Sequence, residues 1–196
     1  MTNPWNLVFL TLFAVYFTIR GIYIDRAKGT RTKVSRIDVM ERVLLFLVFL
    51  GNLLLPLVYI FTSWLQFFDY TLPSLLPWIG TVALIVALWL FWRSHRDLGL
   101  NWSPSLEIRE QHHLVTHGVY HNIRHPMYSA ILLFGIGQGL VLENWLGGWS
   151  GLVSFILMVV VRLPREESLM TEFFGDAYLA YMKTTGRLIP RVNRRL

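Results

Sequence analysis

Four histidines spaced by four residues are the first candidates for chemistry, namely His113, His117, His121 and His125. On a continuous helix this spacing would place the four rings in one stripe, and imidazole is a common ligand of zinc. The residues between them do not favour a helix, because Gly118 interrupts the stripe and Pro126 disfavours helical dihedral angles at the residue before it. The nearby carboxylates also lack a ligand-like spacing. The sequence therefore predicts no metal site.

The same stretch is polar, aromatic and rich in turn-forming residues, and it ends directly before an apolar run. Backbone amides in such a stretch can bind the carboxylate of a small zwitterion. The rings of Tyr120 and Tyr128 are suited to cover an adenine or a sulfonium cation. A simpler interpretation is that Arg124 anchors the membrane boundary and that the individual histidines are surface residues. The stretch is thus a candidate binding segment for a small molecule.

A second charged cluster follows the last apolar run and contains Arg162, Pro164, Glu166 and Glu167. A cation and a carboxylate that face each other at the membrane surface can hold a charged head group together with a cationic cofactor. Pro164 predicts a break in the helix, with the two glutamates at the start of the next helix. Snorkelling by Arg162 and stabilisation of a helix terminus by the glutamates are the simpler alternatives.

The elements that must position these residues are strongly apolar. Hydrophobic residues make up 54% of the 196 residues and charged residues only 15%, whereas soluble domains carry about 25% charge. Five apolar runs are predicted as membrane helices, at residues 5–24, 43–65, 75–92, 127–142 and 145–161. The first three are long enough to cross a hydrocarbon core of about 30 Å. The last two are short, and we favour spanning helices over a hairpin that turns inside the membrane.

The predicted fold class is therefore all-α, a polytopic membrane bundle of about five transmembrane helices. We expect a single integral membrane domain over residues 1–196, with a catalytic region at about 93–191. In this interpretation a cytosolic loop and a C-terminal helix form the site for a cofactor. The chain has no cysteine, which excludes disulfides, thiolate metal ligands and thiol nucleophiles.

Lysines and arginines lie on one side of the predicted bundle. They occur in the segments 25–42, 93–126 and 162–196, with Arg20 close to the first segment, and the links 66–73 and 143–144 contain none. The positive-inside rule predicts that the three basic segments face the cytosol, with the N-terminus outside and the C-terminus inside. The net charge of +6 is therefore attributed to topology and to contact with anionic membrane lipid rather than to nucleic acid.

These motifs resemble the isoprenylcysteine carboxyl methyltransferase family, within the wider group that includes phospholipid methyltransferases. The resemblance covers roughly residues 90–191. The matching residues are at 112–116, 118–120, 124–128, 162, 166–167, 174–175, 178, 181, 187 and 190. The combination of Arg-His-Pro-x-Tyr with a later Glu-Glu and Gly-x-x-Tyr-x-x-Tyr is specific, whereas each element alone is common.

The resemblance implies a membrane-embedded fold with an S-adenosylmethionine pocket that faces the cytosol. It implies cofactor contacts from His112, His113, Leu114, Val115, Tyr120, His125, Pro126, Met127, Tyr128 and Glu167. It also implies that Arg162 binds the substrate, so that Arg162 and Glu167 are the predicted catalytic residues. Many eukaryotic members have a glutamine about seven residues before the His-x-Leu-Val segment, where this chain has Ser105, and that contact is not carried over.

The predicted function is methyl transfer from S-adenosylmethionine to a lipophilic acceptor that enters from the membrane, favouring the carboxylate of an isoprenylcysteine-like substrate. A phospholipid amine is an alternative acceptor, because Glu166 or Glu167 could remove its proton. An NADPH-dependent reductase of sterol-type substrates and a non-catalytic transport or scaffold protein are further alternatives. Short loops and small size predict a protein of a prokaryotic plasma membrane.

Overall fold

The fold, in a computed structural model that describes residues 3–27, 32–35, 38–99, 107–109 and 113–191, is almost entirely helical. Within these ranges it comprises α1 (Pro4–Ala27), β1 (Thr32–Ser35), α2 (Val39–Phe49), α3 (Leu55–Phe61), α4 (Leu76–Leu98), β2 (Glu107–Arg109), α5 (Pro126–Leu142), α6 (Trp145–Phe174) and α7 (Asp176–Thr184). A π-helical turn, Leu50–Leu54, joins α2 to α3 in one continuous rod, and 3-10 turns cover Gln66–Phe68 and Gly118–His121. The predicted helical bundle is confirmed.

Four helical segments are long and apolar enough to cross a membrane, namely Pro4–Arg26, Val39–Phe61, Leu76–Leu98 and Trp145–Phe174. The fifth apolar helix, α5, has 17 residues, which corresponds to a rise of about 25 Å. Large apolar side chains face outward from the bundle, for example Trp78, Val82 and Val160, each more than half exposed. Lipid is the solvent in which such a surface is stable. The chain is an integral, multi-pass membrane protein.

Loop contacts mark the two ends of the bundle. At one end the side-chain amide of Asn144 donates hydrogen bonds to the backbone oxygen of Leu65 and to a carboxylate oxygen of Asp69, each at 2.7 Å. At the other end β1 pairs antiparallel with β2, and Ile123 forms a parallel bridge with Gly186. These pairings bring the three basic segments to the same end. Because α5 begins at this end and finishes beside Asn144, it runs the full length of the bundle, as a spanning helix must.

The polar residues inside the helices hold neighbouring helices together. Gln138 is fully buried, and its amide donates to the backbone oxygens of Gly147 at 2.9 Å and Gly51 at 3.3 Å. Asn52 donates to the backbone oxygen of Gly151 at 3.2 Å. Side-chain hydrogen bonds of this kind satisfy carbonyls between apolar helices. These two residues therefore serve packing, which gives no support to a transport pathway through the bundle.

The predicted break at Pro164 is wrong, because α6 continues through it from Trp145 to Phe174. The proline ring lies on the exposed side of the helix, whereas Leu163 and Glu167 on the flanking turns are buried against other elements. Tertiary contacts on both sides of a proline can keep a helix continuous despite the missing hydrogen bond. At about 45 Å, α6 is longer than a hydrocarbon core is thick, so its C-terminal part projects beyond it.

Candidate active site

An apolar cavity of about 240 Å³ lies between α1, α2, α5 and α6. Its wall runs along α2 and the π-helical turn from Leu45 to Leu53, a rise of about 12 Å, and Phe155 closes another side. The polar groups that line it include Tyr128 and Arg162, which lie toward the end of the bundle that carries the basic segments. The cavity therefore has the shape and polarity of a site for an amphiphile, with an apolar wall and a cationic end.

Arg162 is buried at the cationic end of this cavity, with 6% of its surface exposed. Its Nη1 lies 3.0 Å from Oε1 of Glu41 on α2, and its Nε lies 3.8 Å from Oε2 of Glu166 on the next turn of α6. Glu41 is not distinctive in the sequence, because one acidic residue at the start of an apolar run is common at a membrane boundary. Only the packing of α2 against α6 shows its relation to Arg162.

Glu166 shares this region with Tyr128 and His125. The Tyr128 hydroxyl donates a hydrogen bond of 2.5 Å to Oε2 of Glu166, and Nδ1 of His125 lies 3.8 Å from Oε1. The His125 and Tyr128 rings are stacked, with centroids 5.6 Å apart and planes 17° apart. The Glu166 side chain remains 32% exposed. A carboxylate beside an aromatic pair, with part of its surface open, can receive a small cation.

Glu167 points to a different side of α6 and is the centre of a buried ion-pair cluster. Its Oε1 accepts hydrogen bonds from Arg124, through Nε at 3.1 Å and Nη2 at 2.9 Å, and lies 3.3 Å from Nε2 of His125. Arg187 donates to Oε2. Arg124 also donates to the backbone oxygen of Met182 at 3.2 Å. The cluster thus fastens the segment before α5 and the chain around α7 onto α6.

The segment before α5 is anchored on α4 by a tight turn. Gly118 has a φ of +61°, and a Cβ atom there would lie 2.1 Å from a carboxylate oxygen of Asp97. The same carboxylate accepts a hydrogen bond of 2.9 Å from the backbone N–H of Val119. A residue with a side chain would meet both an unfavourable backbone conformation and this carboxylate. Glycine is therefore required for the turn that delivers Tyr120 to the interior.

Buried tyrosines of this turn and of α7 pack against each other. The hydroxyl of Tyr181 donates a hydrogen bond of 2.5 Å to the backbone oxygen of Tyr120, and the hydroxyl of Tyr120 lies 3.4 Å from the backbone oxygen of Ser94. Burial raises the pKa of Tyr120 well above its usual range and that of Tyr181 to about 12. Both hydroxyls therefore stay protonated at neutral pH and act as hydrogen-bond donors.

The other predicted cofactor residues divide into two groups. Met127 and Tyr128 line the apolar cavity together with Arg162, and His125 and Pro126 are buried at the start of α5. His113 is exposed, and Leu114 and Val115 are half-buried, in the irregular stretch before the turn. None of these three lines the apolar cavity. His112 and Ser105 lie outside the described residues.

The histidines at spacing four do not form a helical stripe. Residues 113–117 are irregular, and only Gly118–His121 form a short 3-10 turn before α5. Among the described residues, no group of three or more His, Asp or Glu side chains has an arrangement that could hold a metal ion. The four histidines therefore do not lie on one face of a single helix.

A family model described as phospholipid methyltransferase matches residues 75–177, just over half of the chain. The chain belongs to this family. The matched region contains α4, α5 and α6, and with them Arg124, His125, Tyr128, Arg162 and Glu166. Membership of the phospholipid methyltransferase family confirms the resemblance drawn from the motifs.

Individual relatives agree with the family match. The chain is 35% identical over 88 residues to protein-S-isoprenylcysteine O-methyltransferase A of Arabidopsis thaliana, and this match covers 45% of both chains. It is 31% identical over 132 residues to protein-S-isoprenylcysteine O-methyltransferase B of the same plant, a match that covers 66% of this chain and 61% of the relative. A solved structure of the eukaryotic intramembrane Ras methyltransferase, an isoprenylcysteine carboxyl methyltransferase, is similar with a TM-score of 0.54 and 25% identity over 80% of this chain and 54% of that one. The chain thus spans about half the length of these relatives.

Proposed function

We propose that this member of the phospholipid methyltransferase family transfers a methyl group from S-adenosylmethionine to a lipophilic acceptor, favouring the carboxylate of an isoprenylcysteine-like molecule. The observation that carries this proposal is Arg162 at the end of an apolar cavity, with Glu166 and Tyr128 beside it. A guanidinium pairs strongly with a carboxylate, and the apolar wall suits a hydrocarbon tail. The names of the relatives support the same acceptor class.

The mechanism needs little acid–base chemistry from the protein. A carboxylate is already ionised at neutral pH, so its attack on a methyl group requires no general base. The task of the chain is to hold the acceptor in line and to exclude water, and correct orientation can supply a large part of the rate enhancement. Arg162 fixes the head group while the cavity wall fixes the tail. The contact must leave one carboxylate oxygen free to react.

The residues beside the cavity fit S-adenosylmethionine, whose sulfonium is a cation. Aromatic faces and carboxylates stabilise such a cation. Tyr128 supplies an aromatic ring and Glu166 a carboxylate, and the Tyr128 hydroxyl lies 2.5 Å from Oε2 of Glu166. When bound, this cofactor supplies an activated methyl group. The residues that would hold it are His112, His113, Leu114, Val115, Tyr120, His125, Pro126, Met127 and Tyr128. Of the two adjacent glutamates, Glu166 suits this role better than Glu167, because Arg124 and Arg187 already occupy Glu167.

A phospholipid amine is the second candidate acceptor. The matched family model is that of phospholipid methyltransferases, and the partly exposed Glu166 can take the proton that an ammonium must lose. The two products differ chemically, since a methyl ester is hydrolysed by mild base whereas an N-methyl group is not. Base treatment of the methylated product therefore distinguishes the two acceptors.

Cofactor binding tests the proposed function directly. We expect purified protein in detergent to bind S-adenosylmethionine saturably and NADPH not at all, with binding and methyl transfer unchanged by EDTA. The physical reason is that, among the described residues, no three His, Asp or Glu side chains are arranged to hold a metal ion. Binding can be measured by calorimetry and transfer with a labelled methyl group. Selective NADPH binding would instead indicate a reductase. Loss of activity with EDTA and its recovery with zinc or iron would indicate that the histidines bind a metal.

Acceptor tails should contribute strongly to binding. Acceptors with one head group and tails of increasing length should bind more tightly by about 0.8 kcal/mol for each methylene buried, roughly fourfold in affinity, until the cavity of about 240 Å³ is filled. Dissociation constants for such a series test this expectation. The matched control is the same head group without a tail. Equal turnover of tailless and long-tailed acceptors would show that the cavity is not the acceptor site.

Reporter fusions should reveal the orientation in the membrane. We propose that the three basic segments face the cytosol, in a prokaryotic plasma membrane, because the lysines and arginines lie at one end of the bundle. A reporter fused after Asp69 should be active outside and one fused after Arg195 inside. Alkaline phosphatase and green fluorescent protein report the two sides. The same location for both fusions would contradict the proposed topology.

A further inference from the structure

Glu41 is a carboxylate buried directly behind the candidate active site. It lies in the first turn of α2, where its backbone N–H donates a hydrogen bond of 2.8 Å to the side chain of Asp38, the N-cap residue. The side chain of Glu41 is 1% exposed. Glu41 does not line the apolar cavity, whereas its partner Arg162 does. Glu41 therefore lies behind Arg162, with its Oε1 3.0 Å from the cation that lines the cavity.

The surroundings of Glu41 are poorly suited to a group that serves stability alone. Its Oε1 lies 3.0 Å from Nη1 of Arg162, but among the described residues neither carboxylate oxygen accepts a hydrogen bond of good geometry. A buried carboxylate with unmet hydrogen bonds is costly, and apolar side chains often replace buried ion pairs without loss of stability. A charge at this position is better explained by what it does to Arg162.

We propose that Glu41 is a positioning residue that restricts how Arg162 holds the acceptor. This inference rests on the proposed function, in which the acceptor carboxylate pairs with Arg162. A two-pronged contact with both carboxylate oxygens needs two adjacent N–H groups of the guanidinium. Glu41 competes for Nη1 at 3.0 Å. Glu166 lies 3.8 Å from Nε, beyond hydrogen-bond distance, but its negative charge repels a second carboxylate oxygen on that side. The acceptor is therefore held through one oxygen, and the other oxygen keeps the electron density with which it attacks the methyl carbon.

Removing the charge of Glu41 should have opposite effects on binding and on turnover. Arg162 would attract an acceptor carboxylate more strongly and could engage both oxygens, which stabilises the ground state more than the transition state. In Glu41→Gln, the KM for the acceptor and kcat should therefore both fall. Damage to the packing of α2 on α6 would instead raise KM and lower kcat. The two explanations predict opposite changes in KM.

The chain offers a matched control for the packing of these helices. Arg165 and Asp38 connect the same two helices at 2.9 Å, close to the Glu41–Arg162 pair. Their side chains are 43% and 50% exposed, and neither residue lines the cavity. Asp38 also caps α2, so the cleaner change is Arg165→Gln. This variant loosens the link between α2 and α6 and leaves every charged residue that lines the cavity in place.

The experiment compares the binding of N-acetyl-S-farnesylcysteine with that of its methyl ester, without methyl donor, to purified protein in detergent. The ratio of the two dissociation constants isolates the contribution of the carboxylate. Glu41→Gln should shift this ratio by about threefold or more in favour of the acid, and should lower kcat by a similar factor in the presence of donor. Glu41→Asp shortens the side chain and moves the carboxylate away from Arg162 but keeps its charge. It should therefore shift the ratio in the same direction by a smaller factor. Arg165→Gln should leave it unchanged.

An unchanged ratio in both Glu41 variants overturns the inference, as does a rise in KM. If Glu41→Gln does not fold, the direction of the shift in Glu41→Asp decides the question alone. An equal shift in Arg165→Gln would assign the effect to helix packing and also overturn it. Wild-type protein that neither binds nor methylates the farnesylated acid would refute the isoprenylcysteine-like carboxylate as the acceptor, and with it the proposed role of Glu41. That failure is visible before any variant is made.

Discussion

Replacing Arg162 by lysine should lower kcat/KM for methyl transfer about tenfold or more, a loss of at least about 1.4 kcal/mol of transition-state stabilisation. Lysine keeps the positive charge but lacks the planar fork of N–H groups. The guanidinium lies between two carboxylates, 3.0 Å from Glu41 and 3.8 Å from Glu166, while it also lines the cavity. A single ammonium group cannot keep these contacts and orient an acceptor at the same time.

The measurement is steady-state methyl transfer by purified variants, with thermal unfolding in detergent as a check of folding. Arg165→Lys is the matched control, because Arg165 lies one turn along α6 in an exposed pair with Asp38. Exposed ion pairs contribute little, about 0–1 kcal/mol, so this control should keep nearly full activity. Wild-type activity in well-folded Arg162→Lys would show that Arg162 only anchors the helix at the membrane boundary. The main support for the acceptor site would then be lost.

The helices could largely be predicted from the sequence, because a membrane requires long uninterrupted apolar segments. The apolar runs correspond to observed helices, although α4 continues beyond residue 92 to Leu98 and α6 beyond residue 161 to Phe174. These extensions carry charged and polar residues, which hydropathy assigns to loops. The break expected at Pro164 did not appear, because buried contacts of Arg162 and Glu167 hold the helix on both sides.

The site could be predicted only in part. Motif reasoning predicted Arg162, Tyr128 and His125 as site residues, because their residue types and spacing are distinctive. It could not find Glu41, whose role depends on the packing of two helices far apart in the sequence. It assigned the cofactor contact to Glu167, although Glu166 beside it has the same residue type. Neighbours on a helix point about 100° apart, so only the tertiary structure decides which carboxylate meets the cavity region and which meets Arg124.

Replacing Glu167 by glutamine should destabilise the protein by about 3 kcal/mol or more, because it removes the carboxylate of a buried ion-pair cluster. Glu167 and Arg124 are each only 8% exposed, and Glu167 also accepts hydrogen bonds from Arg187 and lies 3.3 Å from His125. The amide of glutamine would present an N–H group toward cations and would leave Arg124 buried without its counter-charge. The segment before α5 should then loosen, and methyl transfer should fall about tenfold or more.

Glu166→Gln is the matched control, since it makes the same chemical change at the adjacent residue. Glu166 is 32% exposed and accepts a hydrogen bond from Tyr128, so the loss of its charge should lower the unfolding temperature little. It should nevertheless reduce the affinity for S-adenosylmethionine, because the carboxylate that favours a sulfonium is lost. Unfolding temperatures and cofactor dissociation constants of the two variants separate these roles. If Glu167→Gln unfolded like wild type but lost cofactor affinity while Glu166→Gln kept it, Glu167 would be the cofactor carboxylate, and the ion-pair cluster would rearrange when the cofactor binds.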